Sequence, residues 1–178
     1  VTDLLRLLLF ITLSFFTVLV SFHAWRTKQA YGFFRFFAFE SLILLIVLNT
    51  GYWFHDPFSV QQIISWVIFV ISTSLAGYGF YLLRSAGGAR RRVIEDTQTV
   101  VEIGVYRYIR HPLYASLMYF GWGVFFKNTG LTSAALACAA TIFWFLTARY
   151  EERFNIDHFG ETYSEYMKRT KMFIPFLL

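Results

Sequence analysis

The chain has 178 residues, of which 57% are hydrophobic, 21% aromatic and only 15% charged. Its 22 Phe and 11 Tyr exceed what one soluble core of this size requires. The apolar residues also come in long blocks rather than at amphipathic spacing, so the expected class is an all-α integral membrane protein. The formal net charge of +5 lies beside those blocks, which favours anionic lipid headgroups over nucleic acid as its counterpart.

Residues 4–25 form the first expected span, rich in Leu, Phe and Val. It is long enough for about 30 Å of hydrocarbon at about 1.5 Å per residue. This block lacks the basic leader and small-residue cleavage site of a signal peptide, so it is expected to remain in the protein. A polar stretch at 26–36 carries Arg26, Lys28 and Arg35. The second span is expected at 37–54, with Glu40 near its start. An acid within a span suggests function, whereas one near the border can simply extend its carboxylate toward water. His55, Asp56 and Pro57 read as a tight turn. A longer third span follows at 58–83.

Residues 84–110 make the longest polar stretch. It contains the run Arg90, Arg91 and Arg92, most simply an anchor for anionic headgroups. Pro112 then favours a helix start, because its missing N–H would be unpaired in a first turn. The block it opens, 112–126, is short, about 22 Å as a helix. After a turn at Lys127–Gly130, residues 131–148 make the last of five expected spans. Cys138, the lone cysteine, lies in that block and excludes an intrachain disulfide.

Basic residues set the expected topology. With 26–36, 84–110 and the C-terminal segment on one side, all of the sixteen Lys and Arg except Arg6 and Lys127 lie there. The N-terminus is therefore expected outside and the C-terminus in the cytoplasm. Beyond the last span, Arg149–Arg153 carries the helix out of the membrane as far as His158, and Gly160 suits a helix stop. Thr162–Glu165 fits a capping box opening an amphipathic helix, expected either on the membrane surface or folded over the other cytoplasmic segments.

The cytoplasmic face gathers Tyr106, Arg110, His111, Tyr114, Arg149, Glu151, Glu152 and Asn155. Arg110 and His111 stand at the mouth of the helix that Pro112 begins, where unpaired N–H groups and a partial positive charge suit an anion. Arg149 and Glu152 share a helix face, as do Glu151 and Asn155. Taken alone, these residues also fit a border anchor and a solvated helix exit. The triplets Gly77-Tyr78-Gly79 and Gly121-Trp122-Gly123 complete no nucleotide-binding fingerprint and read as close helix packing. The four histidines are scattered, with no pair at metal-ligand spacing, so no metal is expected.

Gly104-x-Tyr106-x3-Arg110-His111-Pro112-x-Tyr114, a helical hairpin, then Glu151-Glu152-x6-Phe159-Gly160-x2-Tyr163-x2-Tyr166 together resemble the isoprenylcysteine carboxyl methyltransferase family and the related phospholipid N-methyltransferases. The resemblance covers roughly residues 84–175 and divides the chain into a three-helix membrane region, 1–83, and a methyltransferase-like region, 84–178. It implies an enzyme using S-adenosylmethionine in a cytoplasmic pocket built by the C-terminal half. Tyr106, Arg110, His111, Pro112, Tyr114, Glu151 and Glu152 are implied as cofactor-binding residues, and Arg149, Glu152 and His111 as catalytic ones. Gly121 and Gly123 correspond to a glycine pair that lets a helix approach the cofactor in the phospholipid enzymes.

The implied acceptor is lipid-like or isoprenoid-bearing, with a carboxylate or an amine, and a small thiol also stays open. An amine or thiol must lose a proton, for which His111, Glu151 and Glu152 are candidates. The short chain suggests a prokaryotic member in an inner membrane. Two other readings compete: an NADPH-dependent enzyme of the sterol reductase type, and a non-enzymatic membrane protein whose basic loop binds lipid or a partner.

Overall fold

A computed structural model describes residues 3–26, 30–88 and 98–177. The arginine run at 90–92 lies outside the described residues. The described chain is helical: α1 (Asp3–Arg26), α2 (Ala30–Leu48), α3 (Val60–Ser85), α4 (Pro112–Phe125), α5 (Leu131–Phe159) and α6 (Glu161–Arg169), with short 3-10 turns at Thr50–Tyr52 and Gly104–Arg107. Among the described residues, three stretches are long and apolar enough to cross a membrane: Tyr31–Leu48, Val60–Ser85 and Leu131–Phe159. This is the pattern of an integral membrane protein.

The expected boundaries shift in two places. The second span begins near Tyr31 and ends at Leu48 rather than covering 37–54. Arg35, read as a loop cation, is buried within α2 with its guanidinium 5.5 Å from the Tyr31 ring centroid. An aromatic face disperses that charge and lets the helix continue through an arginine. The third span runs Val60–Ser85 rather than 58–83. As expected, α4 is short: its 14 residues fall below the roughly 20 needed to span hydrocarbon.

The chain divides into two compact units. The first comprises Val1–Phe69 and Met118–Tyr150. Its core is Leu45, Phe69, Val124 and Ala137, with Trp53 stacked on Phe69 at 5.4 Å between ring centroids. A Cβ on Gly123 would lie 2.6 Å from Phe69 Cε1, and one on Gly121 would lie 3.4 Å from Leu42 Cδ1. These glycines therefore permit close helix packing within this unit. Glu40 accepts hydrogen bonds from Ser14 Oγ at 2.7 Å and from Thr17 Oγ1, pinning α2 to α1. Lys127 is buried, donates to Gln62 Oε1 at 2.8 Å and sits 3.8 Å from the Trp66 ring centroid.

The second unit comprises Val70–Leu117 and Glu151–Leu178. Leu82, Leu83, Val101 and Tyr106 form its apolar cluster, joined by Val105 and Leu113. Gly104, at φ 57°, turns the chain against α3 where a Cβ would meet Tyr78 Oη at 2.5 Å. Only glycine satisfies both demands. Gly160, at φ 62°, ends α5 as expected, and α6 starts at once. The expected capping box is absent: α6 begins at Glu161 with Gly160 as its N-cap and no side-chain cap bond. The abrupt bend at glycine leaves no extended Thr162 to act as a cap.

Candidate functional site

A cleft in the second unit is lined by Tyr106, Arg110, His111, Pro112 and Tyr114, and by Glu151, Asn155, Phe159, Tyr163 and Tyr166. Leu83, Leu113 and Thr99–Val101 form its apolar end. About 70 Å³ of it admits the centres of water molecules, and about 570 Å³ is empty when the open mouth is counted. One water needs only about 10–15 Å³ by the first measure, so this is a binding-sized recess rather than a packing defect.

Local folding explains how the polar groups converge. Pro112 starts α4, and the first intrahelical bond runs from Ala115 N–H to His111 O at 2.9 Å. His111 therefore stands at the threshold of the helix, with its side chain buried. The C-terminal segment then pairs with the threshold. Arg110 N–H donates to Lys171 O at 2.8 Å, His111 N–H to Met172 O at 3.1 Å, and Lys171 N–H to Tyr108 O at 2.9 Å. These bonds surround a parallel bridge between Ile109 and Lys171. The C-terminal segment thus folds over 108–111.

From the opposite wall, α5 presents adjacent carboxylates. Tyr114 Oη donates to Glu151 Oε2, and His111 Nδ1 lies 3.8 Å from Glu151 Oε1. Glu152 points behind the imidazole: its Oε1 accepts from Arg110 Nε at 2.7 Å and lies 3.5 Å from His111 Nε2. That Nε2 is buried and lacks a well-formed hydrogen bond among the described residues. Tyr114 stacks on the imidazole at 5.6 Å and 16°, and Phe173 tilts against it at 6.0 Å.

Arg110 lines the cleft, with Nε donating to Glu152 and Nη1 to Met167 O and Thr170 O. From α6, Tyr166 Oη donates to Tyr106 O at 2.7 Å. Burial pushes the Tyr106, Tyr163 and Tyr166 phenols well above their usual range, Glu151 adding to the effect at Tyr106 and Tyr163. All three stay neutral hydroxyls at any ordinary pH.

Of the residues singled out from sequence, Tyr106, Arg110, His111, Pro112, Tyr114 and Glu151 line the cleft, and Glu152 stands one layer behind. Arg149 is exposed, belongs to the first unit and is not among the lining residues. Asn155, one of the cytoplasmic set, and Phe159, Tyr163 and Tyr166, part of the motif that carries the resemblance, line the cleft as well, although none of them is assigned a role from sequence. Nothing in the sequence marked Thr99–Val101 or Phe173.

The apolar helices and the polar recess define a membrane protein with a buried, ligand-sized site. Residues 60–162, more than half of the chain, match the phospholipid methyltransferase family model. A methanethiol S-methyltransferase of Crocosphaera subtropica is 29% identical over 160 residues, covering 78% of this chain and 59% of that protein. The protein-S-isoprenylcysteine O-methyltransferase of Homo sapiens is 37% identical over 86 residues, 46% of this chain and 29% of that protein. Methanethiol S-methyltransferase 1 of Bradyrhizobium diazoefficiens is 34% identical over 71 residues, 40% of this chain and 24% of that protein. In each case the match covers less than two thirds of the relative's own length. The chain belongs to the phospholipid methyltransferase family.

Proposed function

We propose that the protein is a membrane-embedded methyltransferase that draws on S-adenosylmethionine held in the cleft and methylates an acceptor with an apolar or lipid-like body. The observation that carries this reading is the composition of the cleft wall. It combines a carboxylate, a buried imidazole and several aromatic rings in one recess. That donor set fits the cofactor. Glu151 suits ribose hydroxyls or an ammonium, and the faces of Tyr106, Tyr163 and Phe159 suit a sulfonium.

When bound, S-adenosylmethionine supplies a methyl group activated by a positively charged sulfur. The protein's own part is alignment and exclusion of water. Tyr114 fixes Glu151, Arg110 fixes Glu152, and Phe173 and Tyr114 hold the imidazole plane. Leu83, Val101 and Leu113 offer the acceptor an apolar seat. An acceptor that is already a carboxylate needs no base, whereas a thiol or amine gives up a proton, and His111 stands closest to that role. The relatives' names span both chemistries, a thiol and an isoprenylcysteine.

In the same reading α1 and α4 complete five membrane-inserted helices, the N-terminus lies outside, and the cleft opens to the cytoplasm of a prokaryotic cell. Titrating the purified protein in detergent with S-adenosylhomocysteine by calorimetry tests the cofactor. Binding by the parent, weakened at least tenfold in His111→Ala and Glu151→Gln, supports the reading. A folded parent that binds neither this ligand nor S-adenosylmethionine rules it out.

A further inference from the structure

α6 does not offer a membrane the apolar face that its pattern suggests. Its Tyr163 and Tyr166 are buried and line the cleft, leaving Glu161, Glu165, Lys168 and Arg169 outward. Outside α3 and α5, the large exposed apolar side chains of the second unit lie on two other segments. Ile103 and Tyr108 are 54% and 48% exposed, and Phe176 and Leu177 are 84% and 78% exposed. The Phe176 and Tyr108 rings meet at 6.1 Å, which joins the segments into one rim. Phe176 adopts φ 67°, a region that bulky L-residues rarely occupy.

The depth of this rim along the unit is fixed by α3. Gly104 backs onto Tyr78 and Leu82, and Tyr106 Oη donates to Gly79 O at 3.4 Å. From Gly79 to the helix end at Ser85 is about 9 Å at about 1.5 Å per residue. The end of the rim at Ile103, next to Gly104, therefore lies beside the last turns of a helix long and apolar enough to cross a membrane, the region at which headgroups begin.

Cations surround it. Arg107, Lys168, Arg169 and Lys171 are all exposed. Glu165 holds Lys168 at 2.5 Å and Glu102 holds Arg169 at 2.9 Å. Arg107 and Lys171 form no ion pair among the described residues. An apolar rim flanked by unbalanced cations at headgroup depth is complementary to an anionic bilayer surface.

We propose that Ile103, Tyr108, Phe176 and Leu177 form an interfacial anchor that seats the second unit on anionic lipid, with Arg107 and Lys171 binding the headgroups. The inner side of the same C-terminal segment carries Phe173 against His111, together with the main-chain bonds to 110 and 111. Seating the outer side thus steadies one wall of the cleft. The proposal depends on membrane embedding and not on the reaction.

The test places a single environment-sensitive dye on Leu177→Cys in a Cys138→Ser background, with Glu165→Cys as the control. Nanodiscs contain phosphatidylcholine with or without phosphatidylglycerol, plus lipid carrying a quencher near the top of its acyl chain. Quenching at 177 severalfold above that at 165, increased by phosphatidylglycerol and reduced toward the phosphatidylcholine level by Arg107→Glu with Lys171→Glu, is the expected result. Equal quenching at both sites overturns the proposal, as does quenching at 177 that phosphatidylglycerol leaves unchanged. A dye at 177 that is shielded from solvent but unquenched, and that becomes exposed when discs hold one copy of the chain, also overturns it and makes a second copy the occupant.

Discussion

Arg110 Nε donates to Glu152 Oε1 at 2.7 Å, and both side chains are buried, at 9% and 3% exposure. Arg110 also reaches Met167 O and Thr170 O, so one guanidinium ties α5 to the end of α6. Removing the cation alone takes from the buried Glu152 carboxylate its shortest ion pair, leaving His111 at 3.5 Å, which costs more than the pair contributes. Arg110→Met should therefore lower stability by about 3–5 kcal/mol. Arg110→Met combined with Glu152→Leu should recover a large part of that loss. Chemical denaturation in mild detergent measures both, and a double variant no better than the single would contradict the account.

Two glycines at positive φ separate backbone strain from crowding. Gly104 combines φ 57° with a Cβ position 2.5 Å from Tyr78 Oη and 2.7 Å from Leu82 Cδ1. Gly160 has φ 62° with open space around it. Gly160→Ala should cost about 1–2 kcal/mol from the backbone alone. Gly104→Ala adds a clash with packed side chains, for about 2–4 kcal/mol in all. If the two variants melt alike, the close packing of Gly104 on α3 is not what constrains it.

Much of this architecture was legible because apolar blocks, a proline and a glycine act locally. Pro112 starts α4 and Gly160 stops α5 where local chemistry places them. Arg35 misled because its charge marked a loop, whereas the nearby Tyr31 ring, a tertiary feature of the helix face, lets it be buried. The cleft was legible only through two distant motifs taken together. Their residues meet because a C-terminal segment pairs with 108–111, a contact between positions some sixty apart that no local pattern encodes. Phe173 was invisible for the same reason.

The buried phenols make stability fall at alkaline pH. Tyr106, Tyr163 and Tyr166 are all raised above the ordinary value of 10.0 by burial. Below pH 10 neither the folded nor the unfolded state loses these protons, so stability is unaffected. Above it the unfolded chain releases them and the folded chain does not, so stability drops by up to about 1.4 kcal/mol per pH unit for each phenol. Tyr166→Phe should lose about 1 kcal/mol at pH 8 with its bond to Tyr106 O, yet show a shallower decline between pH 10 and 11. Denaturation midpoints across that range decide it, and parallel declines in parent and variant would exclude Tyr166 as a contributor.

Tyr114 and Glu151 test whether the cleft binds as proposed. Tyr114 Oη donates to Glu151 Oε2 while its ring stacks on His111. Tyr114→Phe keeps the ring and removes only the donor. If Glu151 is the group that grips the cofactor, losing its fixed orientation should weaken S-adenosylhomocysteine binding about tenfold, the equivalent of one hydrogen bond to a charged group. Glu151→Gln should weaken it at least as much. The informative measurement is the double variant. If Tyr114 acts only through Glu151, adding Tyr114→Phe to Glu151→Gln costs nothing further, because the carboxylate it positions is already gone. Losses that simply add would instead mean that the Tyr114 hydroxyl meets the ligand directly.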